Sequence, residues 1–188
     1  MARGSVVVRD AVVADASALV AIWEDFSNVR ERFSMAAATV EETSRAIVRV
    51  ETDSAERLLV ATLEGVPVGV AHLRRAPLSP IHDEDAVHVG NLHVLTNHRR
   101  RGVGTSLLSA ATDWAEEKDT EHIVAAVAAS ARDSNRFLAR LGMGQAAVVR
   151  ASTVARLRAR LSPVPVKAVP VTVRVARRER RRRARAAR

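Results

Sequence analysis

The chain has no cysteine and no tyrosine among its 188 residues, and aromatic residues make up only 3% of it. The first absence excludes disulfides, thiolate metal sites and a cysteine nucleophile; the second removes the phenol as a general acid. No apolar run approaches the roughly 18 residues of a membrane span. The opening MARGSVVVRD has no long apolar segment of the secretory kind, so a cytoplasmic location is expected. No metal-ligand spacing is found, and no metal is expected.

What is present is a chain with 47% hydrophobic residues and a formal charge of +9, enough for one buried core and a tail. The charge is concentrated at one end. From Arg177 to Arg188, eight arginines and one glutamate carry +7 of the total, leaving the rest of the chain near +2. Such a block repels itself and is expected to be disordered in isolation. Its expected partners are the phosphates of nucleic acid or ribosome, bound without sequence reading because no aromatic residues are interleaved for base stacking.

Hydrophobic periodicity predicts elements in the order β-α-α-β-β-β-α-β-α-β. SVVVRDA is a strand, and DASALVAIWEDF a helix with Leu19, Ile22, Trp23 and Phe26 on one face and Asp15 as its N-cap. Thr39 followed by Glu42 fits the capping box of a second helix. Two strand-like runs flank Glu64-Gly65, a hairpin signal. AVHVGNLHVL is the next strand, GVGTSLLSAATDWAEEK a strongly periodic helix, and HIVAAVAA a buried strand. RDSNRFLARLG is a helix closed by Gly142, and GQAAVVR a last strand. The expected organisation is a domain over 1–150, an extension over 151–176 with a short basic helix and a possible edge strand, and the arginine tail over 177–188.

The stretch NHRRRGVGTSLL places three arginines and a Gly-x-Gly between a strand and a helix. Glycines let the backbone approach a ligand, and the helix start offers free N–H groups, so the combination points to a phosphate or pyrophosphate site.

These residues resemble the GNAT superfamily of acetyl-CoA-dependent N-acetyltransferases. The likeness lies in a strand ending Leu92-His93-Val94, then Arg99-Arg100-Arg101-Gly102-Val103-Gly104 and a helix, with NRFLARLGM similar to the family's second signature. It implies an α/β fold in which a mixed central sheet is flanked by helices, here with a basic C-terminal extension. It further implies that the amides from Arg101 to Thr105, with Arg99 and Arg100 nearby, cradle the coenzyme A pyrophosphate. Leu92, His93 and Val94 would pair with the pantetheine arm, and an amide there would meet the acetyl oxygen. Ser134 and Asn135 are candidate donors to the thiolate or pantetheine.

The resemblance places the family's usual tyrosine acid at Leu138, so that group is missing. The histone-acetylating branch has its base six residues before the closing valine, which is His88 here, and an imidazole of pKa about 6.5 suits that task. His88 is the candidate catalytic residue. In a regular strand His88 and His93 have opposite parity, so at most one of them faces the cofactor side. Asp83, Glu84 and Asp85 are candidates to attract a cationic amine, and the segment 28–39, with Arg30, Arg32, Phe33 and Met35, is expected on the acceptor side. The implied reaction is direct attack of an amine, from a small molecule, a protein N-terminus or a lysine, on acetyl-CoA in a ternary complex, by a monomer or homodimer. The competing reading is a catalytically weak acyl-CoA-binding module tethered by the arginine tail.

Overall fold

The computed structural model describes residues 5–29, 37–81, 83–128, 130–147 and 150–161, with no side-chain account of residues 27–29. Strand β1 (Val6–Asp10) leads through a 3-10 turn into helix α1 (Ala16–Val29), followed by α2 (Val40–Glu51). Three consecutive strands follow: β2 (Glu56–Leu63), β3 (Val66–Pro77) and β4 (Asp85–Val94). Then come α3 (Val103–Glu117), β5 (His122–Ala125) and α4 (Arg132–Arg140). The sheet order is β1-β2-β3-β4-β5, antiparallel throughout except for the parallel β4–β5 pair.

Local chemistry explains most of the boundaries. Glu64 and Gly65 have φ of 52° and 80°, the left-handed pair that a two-residue hairpin loop requires. Thr39 and Glu42 form the capping box at the start of α2, with Glu42 N–H donating to Thr39 Oγ1 at 3.1 Å and Thr39 N–H donating to Glu42 Oε2 at 2.9 Å. Asp15 is not the N-cap of α1. It sits at the end of the preceding turn, where its buried carboxylate accepts from Val12 N–H at 2.8 Å and from two Arg9 nitrogens at 2.6 and 2.8 Å. The hydrogen bond from Arg9 holds the Asp15 carboxyl below its ordinary pKa.

The sheet is sandwiched. On one face α3 packs Leu107, Ala111 and Trp114 against Leu59, Leu73, Val87 and Val89 of the strands. On the other, α1 and α2 pack Leu19, Ile22 and Ile47 against Val60 and Val70. Among the described residues no helix is long and apolar enough to cross a membrane.

Two expected strands differ. The run beginning at His122 pairs only as far as Ala125, because β4 leaves its regular path just beyond the paired segment. Gly144 to Ala147 are irregular where a last strand is expected; Val148 and Val149 lie outside the described residues. The described residues up to Gln145 form one compact unit and those from Ala146 onward a second. In the second, the expected basic helix is present as α5 (Val154–Arg160), with Thr153 Oγ1 accepting from Arg156 N–H at 3.2 Å. Residues 162–188, with the arginine tail, lie outside the described residues.

Candidate functional site

The second half of β4 organises the site. From Ala86 to Val89 the strand is paired on both sides, to β3 and to β5. The last tie on the β5 side is Ala126 N–H to the Val89 carbonyl, 3.1 Å. Beyond it, Gly90 to Val94 has no β5 partner among the described residues, so one edge of this segment is left with free backbone groups. On the other side the ladder to β3 slips: Gly90 lies opposite His72 and His93 opposite Val70, leaving Asn91 and Leu92 opposite Ala71 alone. Asn91 takes φ of 51°, so this is a β-bulge.

The bulge overturns the expected parity of the two histidines. One extra residue between them brings His88 and His93 to the same face, that of α1 and α2, because their cross-strand partners Arg74 and Val70 share parity on β3. His88 is half-buried, and its Nε2 atom is buried without a hydrogen-bond partner among the described residues. His93 is 6% exposed, and its Nε2 lies 2.7 Å from Asp25 Oδ2 of α1. Thr96 Oγ1 adds a longer bond to the same oxygen at 3.3 Å, and Phe26 packs its ring 5.1 Å from the imidazole.

Burial pushes the His93 pKa down, outweighing the opposing pull of Asp25, with Arg99 acting in the same downward direction. Asp25 is itself partly desolvated, yet hydrogen bonding from His93 and Thr96 holds its carboxyl below the usual range. The pair is therefore a neutral imidazole donating to a carboxylate at neutral pH. Asp25 carried no signal in the sequence, since 68 positions separate it from His93.

The loop after β4 has the form its composition predicts. A 3-10 turn over Thr96–His98 precedes Arg99 in extended conformation, Arg100 at φ 62° and Gly102 at φ 88°. Two left-handed residues so close together turn successive amides toward one side, a concavity suited to an anion. The first bond closing onto α3 runs from Ser106 N–H to the Gly102 carbonyl at 2.9 Å, and Gly102 supplies no side-chain cap. The amides of Val103, Gly104 and Thr105 thus have no acceptor in their own helix. Arg99, Arg100 and Arg101 are all exposed beside them, Arg99 donating from Nε to the Val94 carbonyl at 3.2 Å.

Two further glycines shape the site by what they leave out. At Gly69 of β3 a Cβ would come within 2.9 Å of Val103 Cγ1 and 3.1 Å of the His93 carbonyl, so the start of α3 rests directly on the strand backbone. At Gly104 a Cβ would meet Phe137 Cζ of α4 at 3.4 Å. Asn135 spends its amide on the loop between β5 and α4, donating to the Ala128 and Ala131 carbonyls at 3.0 and 2.9 Å. Leu138 is buried in the α3-face core.

The acidic loop lies away from the bulge, though Asp85 is only three residues, about 10 Å along the strand, from His88. Asp83, Glu84 and Asp85 lie at the opposite end of β4, about 20 Å along the strand from the bulge at ~3.3 Å per residue, where Asp85 binds Arg75 Nε at 2.8 Å. There Glu84, Glu121 and His122, all exposed, bring ligand atoms within 4.8 Å of one another. The sequence spacing gave no sign of this grouping, because Glu84 joins it from a separate loop. Arg30, Arg32, Phe33 and Met35 lie outside the described residues.

Comparison with known proteins bears on the family and the fold. The Acetyltransferase (GNAT) family matches residues 18–143. A transcriptional regulator from Bacillus halodurans superposes with a TM-score of 0.69 at 21% identity, over 79% of this chain and 99% of that one. The aminoglycoside N-acetyltransferase AAC(6')-Iy in complex with CoA gives 0.66 at 14% identity, over 80% and 95%. Glucosamine-6-phosphate N-acetyltransferase from Arabidopsis thaliana gives 0.64 at 12% identity, over 80% and 99%. At such identities the structural likeness establishes the fold. Comparison with curated protein sequences gives no match.

Proposed function

Because the chain belongs to the GNAT acetyltransferase family, we propose that it moves an acetyl group from acetyl-CoA to a primary amine by direct attack within a ternary complex, with His88 as the base. The observation that carries this reading is the buried Nε2 of His88, without a partner among the described residues and two positions before Gly90, where the β5-side edge of β4 becomes free. Buried polar atoms are nearly always paired, so an orphan beside an open strand edge is a place for a substrate group.

The residues present fit coenzyme A. The amides of Val103, Gly104 and Thr105 at the start of α3, with the Arg99–Arg101 cations, supply donors and charge for a pyrophosphate. Leu92, His93 and Val94 offer the pantetheine amides an unpaired edge, as an added strand would take it. Asn135 contributes by fixing the loop that borders the split between β4 and β5.

Acetyl-CoA, when bound, supplies the activated thioester. An amide at the bulge polarises its carbonyl. His88 Nε2 receives a proton from the attacking nitrogen as the C–N bond forms and the C–S bond breaks, and the imidazolium returns that proton to the departing sulfur or to solvent. No tyrosine is needed for this cycle, which accommodates Leu138 in the core. Holding the two substrates together provides much of the acceleration.

The second reading, an acyl-CoA-binding module, draws on the apolar residue at position 138. Steady-state assays with acetyl-CoA and a panel of primary amines separate the two. Multiple turnovers lost in His88→Ala support the enzyme, and tight coenzyme A binding without turnover supports the module. A stable acetyl-protein formed with acetyl-CoA alone would contradict direct attack. For the arginine tail, we propose electrostatic contact with nucleic acid or ribosome; RNA affinity that survives removal of residues 177–188 would refute it.

A further inference from the structure

Gly90 stands on the α1/α2 side of β4, with His88 two residues before it, the bulge at Asn91 just after it, and His72 directly across the ladder. Among the described residues, a Cβ built on Gly90 meets nothing within 4 Å except the His72 carbonyl oxygen at 3.9 Å. Gly69 on the neighbouring strand is the instructive contrast. There the space belongs to α3, and a side chain would strike Val103 at 2.9 Å. At Gly90 the space is open. The backbone does not demand glycine either, since the positive-φ glycines are Gly65, Gly102 and Gly142.

A residue missing its side chain in a half-buried strand, where both conformation and packing would accept one, leaves a depression in the sheet face. The neighbours of this depression are polar: His88 with its unpartnered Nε2, and His72, whose Nε2 is 3.0 Å from Glu56. The opposite face of β4 is closed, because Val87 and Val89 are 0% and 1% exposed against α3. An acceptor reaching the free edge of β4 therefore approaches across Gly90.

The geometry points to Gly90 as the residue that sets acceptor bulk: the carbon bearing the amine, with its substituent, occupies the space that a side chain at position 90 would fill. This rests on the acetyltransferase reading and names its acceptor class, primary amines on a branched carbon. A larger residue at position 90 excludes the branch and spares the unbranched amine.

The test uses the full chain with n-butylamine, sec-butylamine and tert-butylamine, which differ in bulk at the amine carbon and little in charge. Wild type acetylates the branched amines. Gly90→Ala and Gly90→Val lower kcat/KM for them by about tenfold or more, the range a misfit of one or two methyl groups commands, while n-butylamine turnover and calorimetric coenzyme A affinity are retained. A second readout is the Gly90 amide resonance of 15N-labelled wild type saturated with coenzyme A, which shifts on adding sec-butylamine. Turnover by wild type with an unchanged amine profile in both variants overturns the role of Gly90. A shift at Gly90 without turnover by wild type overturns the acetyltransferase reading and leaves Gly90 as the seat of the amine. Neither shift nor turnover overturns both.

Discussion

The two faces of β4 are made from alternate residues of one strand, and they differ in kind. Toward α3 stand Val87 and Val89, sealed in the larger core. Toward α1 and α2 stand His88, Gly90 and, past the bulge, His93. The first face holds the sheet together. The second contains an imidazole nitrogen with no partner among the described residues, an absent side chain and a histidine tied to a carboxylate, none of which an economical core would use. Stability and chemistry are thus separated by the thickness of a single strand, and substitutions on the two faces should have separable effects.

The largest expected effect falls on the chemical face. His88→Ala should reduce kcat by about 10²–10⁴, the usual contribution of a positioned base. Its chemical-denaturation midpoint should stay level or rise, because a buried polar atom without a partner is removed. A large loss of stability with activity retained would reverse the assignment of the two faces.

Next comes the packed face. Leu107→Ala empties a fully buried site under the sheet and should cost about 2–5 kcal/mol in urea denaturation, with kcat per folded molecule little changed.

A smaller change is expected where the faces are tied to the helices. Asp25→Ala strands the buried His93 donor and should lower stability by about 1–3 kcal/mol. Asp25→Asn, which still accepts a hydrogen bond, should recover part of it.

The smallest effect is one of pH. His93 has its folded pKa lowered by burial, so the unfolded chain takes up the proton first. Its contribution is fully present above the unfolded value of about 6.5 and is lost as pH falls toward the folded value. Asp25 and Asp15, also lowered, add acid sensitivity only below about 3.9. Stability measured at pH 7.5 and 5.5 should therefore fall in wild type and fall less in His93→Gln.

What was legible in the sequence was local. The Glu64-Gly65 turn, the Thr39/Glu42 box, the apolar face of α3 and the glycine turn that opens it each depend on residues a few positions apart. What escaped depends on partners elsewhere in the chain. The bulge at Asn91 exists only in the register with β3, and without it the parity of His88 and His93 reads the wrong way round. Asp25 on α1 and Gly69 beneath Val103 are likewise visible only once the elements meet. The run after Ala125 has strand composition but loses its partner when β4 turns away, so composition alone overstates its length.

The most direct test is calorimetric titration of coenzyme A into wild type and Gly102→Val. Position 102 holds φ of 88° at the start of α3, a conformation a β-branched residue adopts only with strain. One equivalent of coenzyme A should bind wild type, and the variant should bind it at least about tenfold more weakly, the equivalent of ~1.4 kcal/mol. Absence of binding to the wild type, or equal affinity in the two proteins, would contradict a coenzyme A site at the α3 N-terminus.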